Sequence, residues 1–241
     1  AHTDTVPSED EALPDPMLVN GVIRSGSRAV LGADDKSAVA AIIHTLEKII
    51  RDKLPQAGIE LLLTVGEEGG LRGAKACSLE SVVAECGFCL DCTGPVGGVI
   101  VRSPSQKTVN ATFIGKSAHA GVVPEDGRNA VAAAAKAVAA MKLGRLDCET
   151  TANVGIIRGG EAVNVVPDRC SIHCEARSHD QEKLENQVVH MLEAINLAAA
   201  EEEVDVEITV VDEFHGFDFS AGGMPMELAE RAFGRLGLPT E

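Results

Sequence analysis

Seven residues able to bind or activate a divalent cation fall in four short clusters: His2-Thr3-Asp4, Asp34-Asp35, Glu67-Glu68 and Asp91. Two divalent ions about 3.5 to 4 Å apart need a bridging carboxylate and terminal ligands of the kind Asp, Glu and His supply. One further carboxylate must stay off the metals, to take a proton from water and pass it to a leaving amine. Adjacent Glu67 and Glu68 could divide those tasks as base and ligand, provided the backbone turns there, and Gly66, Gly69 and Gly70 permit such a turn. Asp4, two residues after His2, could orient the imidazole or a bound water. Taken singly, each cluster is an ordinary solvated acidic turn, because charged residues are mostly exposed.

Position makes the four clusters more than that. Residues 36–53 carry Val39, Ile42, Ile43, Leu46, Ile49 and Ile50 at helical spacing and end at Pro55 and Gly58, which predicts an amphipathic helix. The apolar runs 28–31, 59–65 and 87–90 read as buried strands of a parallel sheet. Strand and helix alternate here, as in an open α/β sheet with helices on both faces. Ligands in such sheets bind beyond the carboxyl ends of the strands, where the clusters lie.

The pattern changes near Arg102-Ser103-Pro104-Ser105. Strands are expected over 107–114, 151–157, 169–177 and 204–211, with helices over 129–142 and 181–202. The order β-α-β-β-α-β is that of a ferredoxin-like α+β domain. We therefore expect a first catalytic part over 1–104, an inserted ferredoxin-like domain over 105–214, and a return to the catalytic domain over 215–241, with a helix over 226–236.

Composition narrows the function classes. The 37 acidic and 21 basic residues give a net charge of −16, which disfavours nucleic acid and anionic membranes as partners. No apolar run approaches the roughly 18 to 20 residues of a membrane helix. Seven cysteines scattered through the chain point to a reducing, cytoplasmic setting rather than to a disulfide framework. Cys86, Cys89 and Cys92 have an iron–sulfur-like spacing, but the following Cys-Pro is missing, so we read them as sheet cysteines. His44 and His190 sit in helices as solvated-face histidines. Gly94, Gly97 and Gly98 precede no Lys-Ser or Lys-Thr helix start and form no phosphate loop.

Beyond these readings, residues 1–7 (AHTDTVP), 31–36 (LGADDK) and 64–71 (TVGEEGGL) resemble successive metal-site motifs of the M20 metallopeptidases. So do 90–95 (LDCTGP), 115–121 (GKSAHAG), 159–167 (GGEAVNVVP) and 175–179 (EARSH), and the ensemble is most similar to the peptidase T-like branch. The resemblance implies a zinc-peptidase-like fold with a lid and dimerisation domain, two divalent ions, most readily Zn with Mn or Co as alternatives, and a homodimer. It implies that His2 and Asp91 bind the first metal, that Asp34 bridges both, that Glu68 binds the second, and that Glu67 is the general base. It further implies a cis Asp34–Asp35 peptide, and that His119, Asn164 and Arg177 contact substrate, His119 at a neighbouring subunit's site. Arg177 suits a carboxylate because its planar fork makes two parallel hydrogen bonds.

In the family, further strands and a helix precede His2 and a second metal-binding histidine follows the last residue of this sequence, so the second site is expected to lack that ligand here. His215, in a Phe-rich segment, is not assigned to it. The activity so implied is removal of the N-terminal residue of short peptides, tripeptides among them. Hydrolysis of N-acyl amino acids on the same ligands, or a catalytically incomplete fragment that only dimerises, are the alternatives.

Overall fold

The computed structural model describes residues 1–7 and 13–239 of the chain. Two compact units divide it, residues 1–99 with 222–239 as the first and residues 100–221 as the second.

In the first unit, the hairpin β1 (Pro16–Val19) and β2 (Val22–Ser25) turns at Asn20-Gly21, both with positive φ. Helix α1 (Ala33–Arg51) follows, with Asp34 and Asp35 in non-helical geometry at its start. Its stripe of Val39, Ile42, Leu46 and Ile49 is half-buried, as the spacing predicts. A short helix α2 (Arg72–Ala76) follows the Glu67-Glu68 turn, and α5 (Met224–Leu236) ends the unit.

The open, mostly parallel sheet expected for this unit is not what the described residues form. Runs 28–31, 59–65 and 87–90 have no strand ladder, and among the described residues the one parallel pairing is an isolated bridge between His2 and Thr64. Parallel neighbours come from distant segments, and a parallel strand needs cover on both faces. Leu61 and Val65 lack that cover, remaining 43% and 62% exposed.

The second unit is an antiparallel sheet covered by two helices. Along the chain it comprises β3 (Arg102–Ser103), β4 (Ser105–Ile114), β5 (Ala118–His119), α3 (Ala130–Ala140), β6 (Gly144–Arg145) and β7 (Thr150–Gly159). Then come β8 (Val165–Val166), β9 (Arg169–Ser178), α4 (Gln181–Glu201), β10 (Asp205–Phe214) and β11 (Phe217–Asp218). The main sheet runs β10-β4-β9-β7-β6 with antiparallel neighbours throughout. Its long strands and two helices follow the β-α-β-β-α-β order.

Alternation explains the core. Val109, Ala111 and Phe113 of β4 and Cys170, Ile172, Cys174 and Ala176 of β9 point to one face and are buried. Against them lie Leu184, Val188, Met191 and Ile195 of α4 at helical spacing, and four alanines of α3 whose small side chains let that helix approach the sheet. Both helices begin at side-chain caps: Asn129 accepts the Ala132 N–H at 3.0 Å and Asp180 that of Lys183 at 3.0 Å. Among the described residues, no helix is long and apolar enough to cross a membrane.

Candidate metal centre

All four clusters of the first unit converge. Residues 1–3 pair with the end of the run 59–65, Thr3 N–H to Thr64 O at 3.0 Å and Thr64 N–H to Ala1 O at 3.1 Å, which sets His2 beside the Glu67-Glu68 turn. Gly66 begins that turn at φ 65°, and the N–H groups of Gly70 and Leu71 close it on the Glu67 carbonyl, each at 2.9 Å. Gly73 lets the turn fold back: a Cβ there would lie 2.4 Å from the Val65 carbonyl oxygen.

His2 is 2% exposed and its ring is held from both sides. Nδ1 meets Asp4 Oδ1 at 3.3 Å, while Nε2 lies 3.0 Å from Asp34 Oδ1, 3.8 Å from Asp91 Oδ2 and 3.9 Å from Glu67 Oε2. The His2 backbone N–H donates to Asp35 Oδ2 at 3.1 Å. Asp4 also ties the turn, its two oxygens accepting the N–H groups of Glu67 at 3.0 Å and Glu68 at 3.1 Å. The Asp34–Asp35 peptide bond is cis.

Burial and crowding set the charges. Burial tends to lower the His2 pKa, but the hydrogen bond to Asp34 and the charges of Asp91 and Glu67 outweigh it and hold it above the ordinary value. Burial raises the Glu67 carboxyl, and Asp91, Glu68 and Asp34 push it further against the opposing pull of His2. Asp91 is raised by burial and then by Asp34 and Asp35. For Asp4, burial is overcome by the backbone N–H groups of Glu67 and Glu68, which hold its carboxyl below the ordinary value.

These residues fit a divalent ion. In a tetrahedral shell with bonds of about 2.0 to 2.2 Å, donor atoms stand about 3.3 to 3.6 Å apart, and the separations from His2 Nε2 bracket that range. Among the described residues, two sets of three could each hold an ion: His2, Asp34 and Glu68, and His2, Asp35 and Asp91, with ligand atoms within 4.8 Å of one another in each. Neither set includes a cysteine. Asp35, read at the sequence level only as half of a pair, is the buried carboxylate of that pair at 2% exposure. Its signal was available, since an acid at the start of an amphipathic helix faces either solvent or the helix's packing side, and position 35 precedes buried Ala38 by three residues.

The substrate-binding candidates lie in the second unit. His119 of β5 pairs with Val165 of β8, and the Ala120 N–H donates to the Asn164 carbonyl at 3.0 Å, so both residues sit on one exposed two-stranded ribbon. The His119 Nδ1 accepts the Gly121 N–H at 3.1 Å. Arg177 is apart from them on β9, with its fork taken by Glu175: Nε to Oε1 at 3.2 Å and the terminal nitrogen to Oε2 at 2.9 Å.

Known proteins resemble this chain in sequence and in fold. Residues 103–203 match the family model of the M20 peptidase dimerisation domain, and residues 20–150 that of the M42 glutamyl aminopeptidases. The whole chain superposes on 64% of an aminopeptidase PepT crystal structure from Bacillus cereus, with a TM-score of 0.87 and 41% identity. It also covers 64% of a tripeptidase from Staphylococcus aureus, with a TM-score of 0.92 and 38% identity. An uncharacterized protein, YqjE of Bacillus subtilis, is 40% identical over 100% of this chain and 64% of its own length. An indole-3-acetyl-aspartic acid hydrolase of Enterobacter agglomerans is 31% identical over 77% of this chain and 44% of its own. The chain thus spans 64% of the length of the first three of these relatives and 44% of the fourth, and its stretch 20–150 matches the M42 aminopeptidase model. With its M20 dimerisation unit and its likeness along all 241 residues to peptidase T and tripeptidase structures, it belongs to the M20 peptidase family, among the peptidase T-like members.

Proposed function

We propose that this chain carries the metal-binding and proton-transfer groups of an aminopeptidase that removes the N-terminal residue of short peptides. The observation that supports it most is the meeting of Asp34, Glu67 and Asp91 around Nε2 of His2, whose ring Asp4 orients, with Asp35 and Glu68 completing the two candidate ligand sets.

His2, Asp34, Glu68 and Asp91 would hold two divalent ions, with Asp34 shared, and Asp35 is placed to join them. Such ions, Zn most readily and Mn or Co on the same ligands, supply Lewis acidity when bound. Glu67 takes the proton of the attacking water and returns it to the leaving amine; burial and acidic neighbours raise its carboxyl, which brings it closer to the operating pH of a base that must also act as an acid. Asp4 fixes the ring of His2 and, through two N–H groups, the height of both glutamates.

The second unit, with residues 105–214 as its functional extent, would act as lid and dimerisation surface between catalytic segments 1–104 and 215–241. Strand β10 supports pairing of two copies, because its ten residues form an edge of the sheet. His119 and Asn164 would meet the substrate from their shared ribbon, and Arg177 its terminal carboxylate after exchanging Glu175 for it. Seven unpaired thiols suit a reducing, cytoplasmic setting.

The likeness to a hydrolase of an indole-3-acetyl amino acid favours a second reading, an amidohydrolase of N-acyl amino acids. Supplying the chain with Zn, Mn or Co and comparing tripeptides with N-acyl amino acids separates the two. Release of the first residue from free tripeptides supports the aminopeptidase, and turnover of blocked substrates alone supports the amidohydrolase. Turnover of neither by the folded, ion-loaded chain counts against both.

A further inference from the structure

We propose that Lys36 is a positioning residue of the acidic centre, acting with Thr5 and Gly32 as a latch between the His2–Asp4 loop and the Asp34–Asp35 corner. The inference rests on the reading of that centre as a metal site, and adds a group to which neither composition nor spacing assigns a role.

Lys36 directly follows Asp35 at the start of α1. Its ammonium donates to the Thr5 hydroxyl and, at 3.4 Å, to the carbonyl oxygen of Asp4. Gly32 makes room for this: its backbone is left-handed at φ 72°, and a Cβ there would lie 3.3 Å from Thr5 Oγ1 and 3.7 Å from Lys36 Nζ. A side chain at position 32 would therefore strain the backbone and crowd both partners of the latch.

Two ties then join the same pair of segments on either side of His2. One runs from the His2 N–H to the Asp35 carboxylate, and the other from Lys36 to the backbone of Asp4 and the side chain of Thr5. Asp4 is thereby held at its carbonyl by Lys36, while its carboxylate faces His2 and the N–H groups of Glu67 and Glu68. Six carboxylates gathered at one centre repel one another before any cation arrives. A fixed ammonium on the backbone between two of the acidic segments opposes their separation and keeps the ligands in place for the ion.

Lys36→Met tests this, since the side chain is exposed and methionine keeps its length and helix propensity. Hydrogen exchange of the metal-free 241-residue chain should quicken in segments 1–7 and 64–70 and stay unchanged in 105–114. Zn2+ affinity, read by competition with a chromophoric chelator, should fall about tenfold. Lys36→Arg should recover part of both, and Thr5→Val should reproduce the exchange change more weakly. Unchanged exchange in segments 1–7 and 64–70 of folded Lys36→Met overturns the latch, whatever the affinity. Where the wild type takes up Zn2+, equal affinity in wild type and Lys36→Met also overturns it. Faster exchange in a chain whose wild type takes up no Zn2+ upholds the latch and counts instead against the metal reading.

Discussion

The Asp4 carboxylate meets His2 Nδ1 at 3.3 Å, which leaves Nε2 as the nitrogen that faces Asp34. A carboxylate behind a ligand imidazole fixes its tautomer and orientation and raises its basicity. Here the same carboxylate also accepts the N–H groups of Glu67 and Glu68, so one side chain sets three candidate metal-site or proton-transfer groups.

Replacing Asp4 by Ala should therefore disturb more than His2. We expect divalent-ion affinity to fall about 10- to 100-fold, with Asp4→Asn intermediate because one amide oxygen still accepts. Ion titration of both variants checks this, and equal affinities for wild type and Asp4→Ala would contradict it.

Glu67→Gln keeps the shape of the turn and removes its proton acceptor. Ion uptake should persist while peptide turnover falls about 100- to 10,000-fold. Loss of ion binding in that variant would instead make Glu67 a ligand, a role its 3.9 Å approach to His2 Nε2 leaves within reach.

An acid limit should come from the second unit. Asp147 accepts the N–H groups of Glu149 at 2.9 Å and Thr150 at 2.8 Å and pairs with Lys183, and these hold its carboxyl down at about 2. The ordinary value is 3.8, so the stabilisation is complete above about pH 4 and is lost as pH falls through 2. Urea melts from pH 5 to pH 2 should show a loss of stability in the wild type and a smaller one in Asp147→Asn, because Glu149 and Asp218 are held down as well.

The cysteines should divide by burial. Burial raises the thiols of Cys170 and Cys174, the latter to about 11, whereas Cys89 and Cys92 are exposed. A thiol reagent followed by peptide mapping should label 89 and 92 in the native chain, and 170 and 174 only after unfolding.

How much of this was legible depended on range. In the second unit local signals agree: alternating residues in β4 and β9, alanines at helical spacing in α3, and caps at Asn129 and Asp180 all point the same way, and the elements lie within a few residues of their expected bounds. Runs such as 59–65 announce burial but not their neighbours, because parallel pairing is decided by distant chain, and there the expected ladder is missing. At the site, residue types and spacing singled out the four clusters at 2–4, 34–35, 67–68 and 91, the resemblance implied their separate roles, and the structure brings the clusters together. What spacing could not convey was three-dimensional competition: which of Asp34 and Asp35 is buried, that Glu175 occupies Arg177, and that Lys36 reaches back to Thr5.

The central claim is that these clusters form one metal centre, and elemental analysis of the chain purified without chelator tests it most directly. With Asp34 proposed as the carboxylate that both ions share, we predict two divalent ions per chain in the wild type and their loss in folded Asp34→Ala. A wild-type chain that holds no ion when supplied with Zn, Mn or Co, or an Asp34→Ala chain that holds as many as the wild type, would contradict the account.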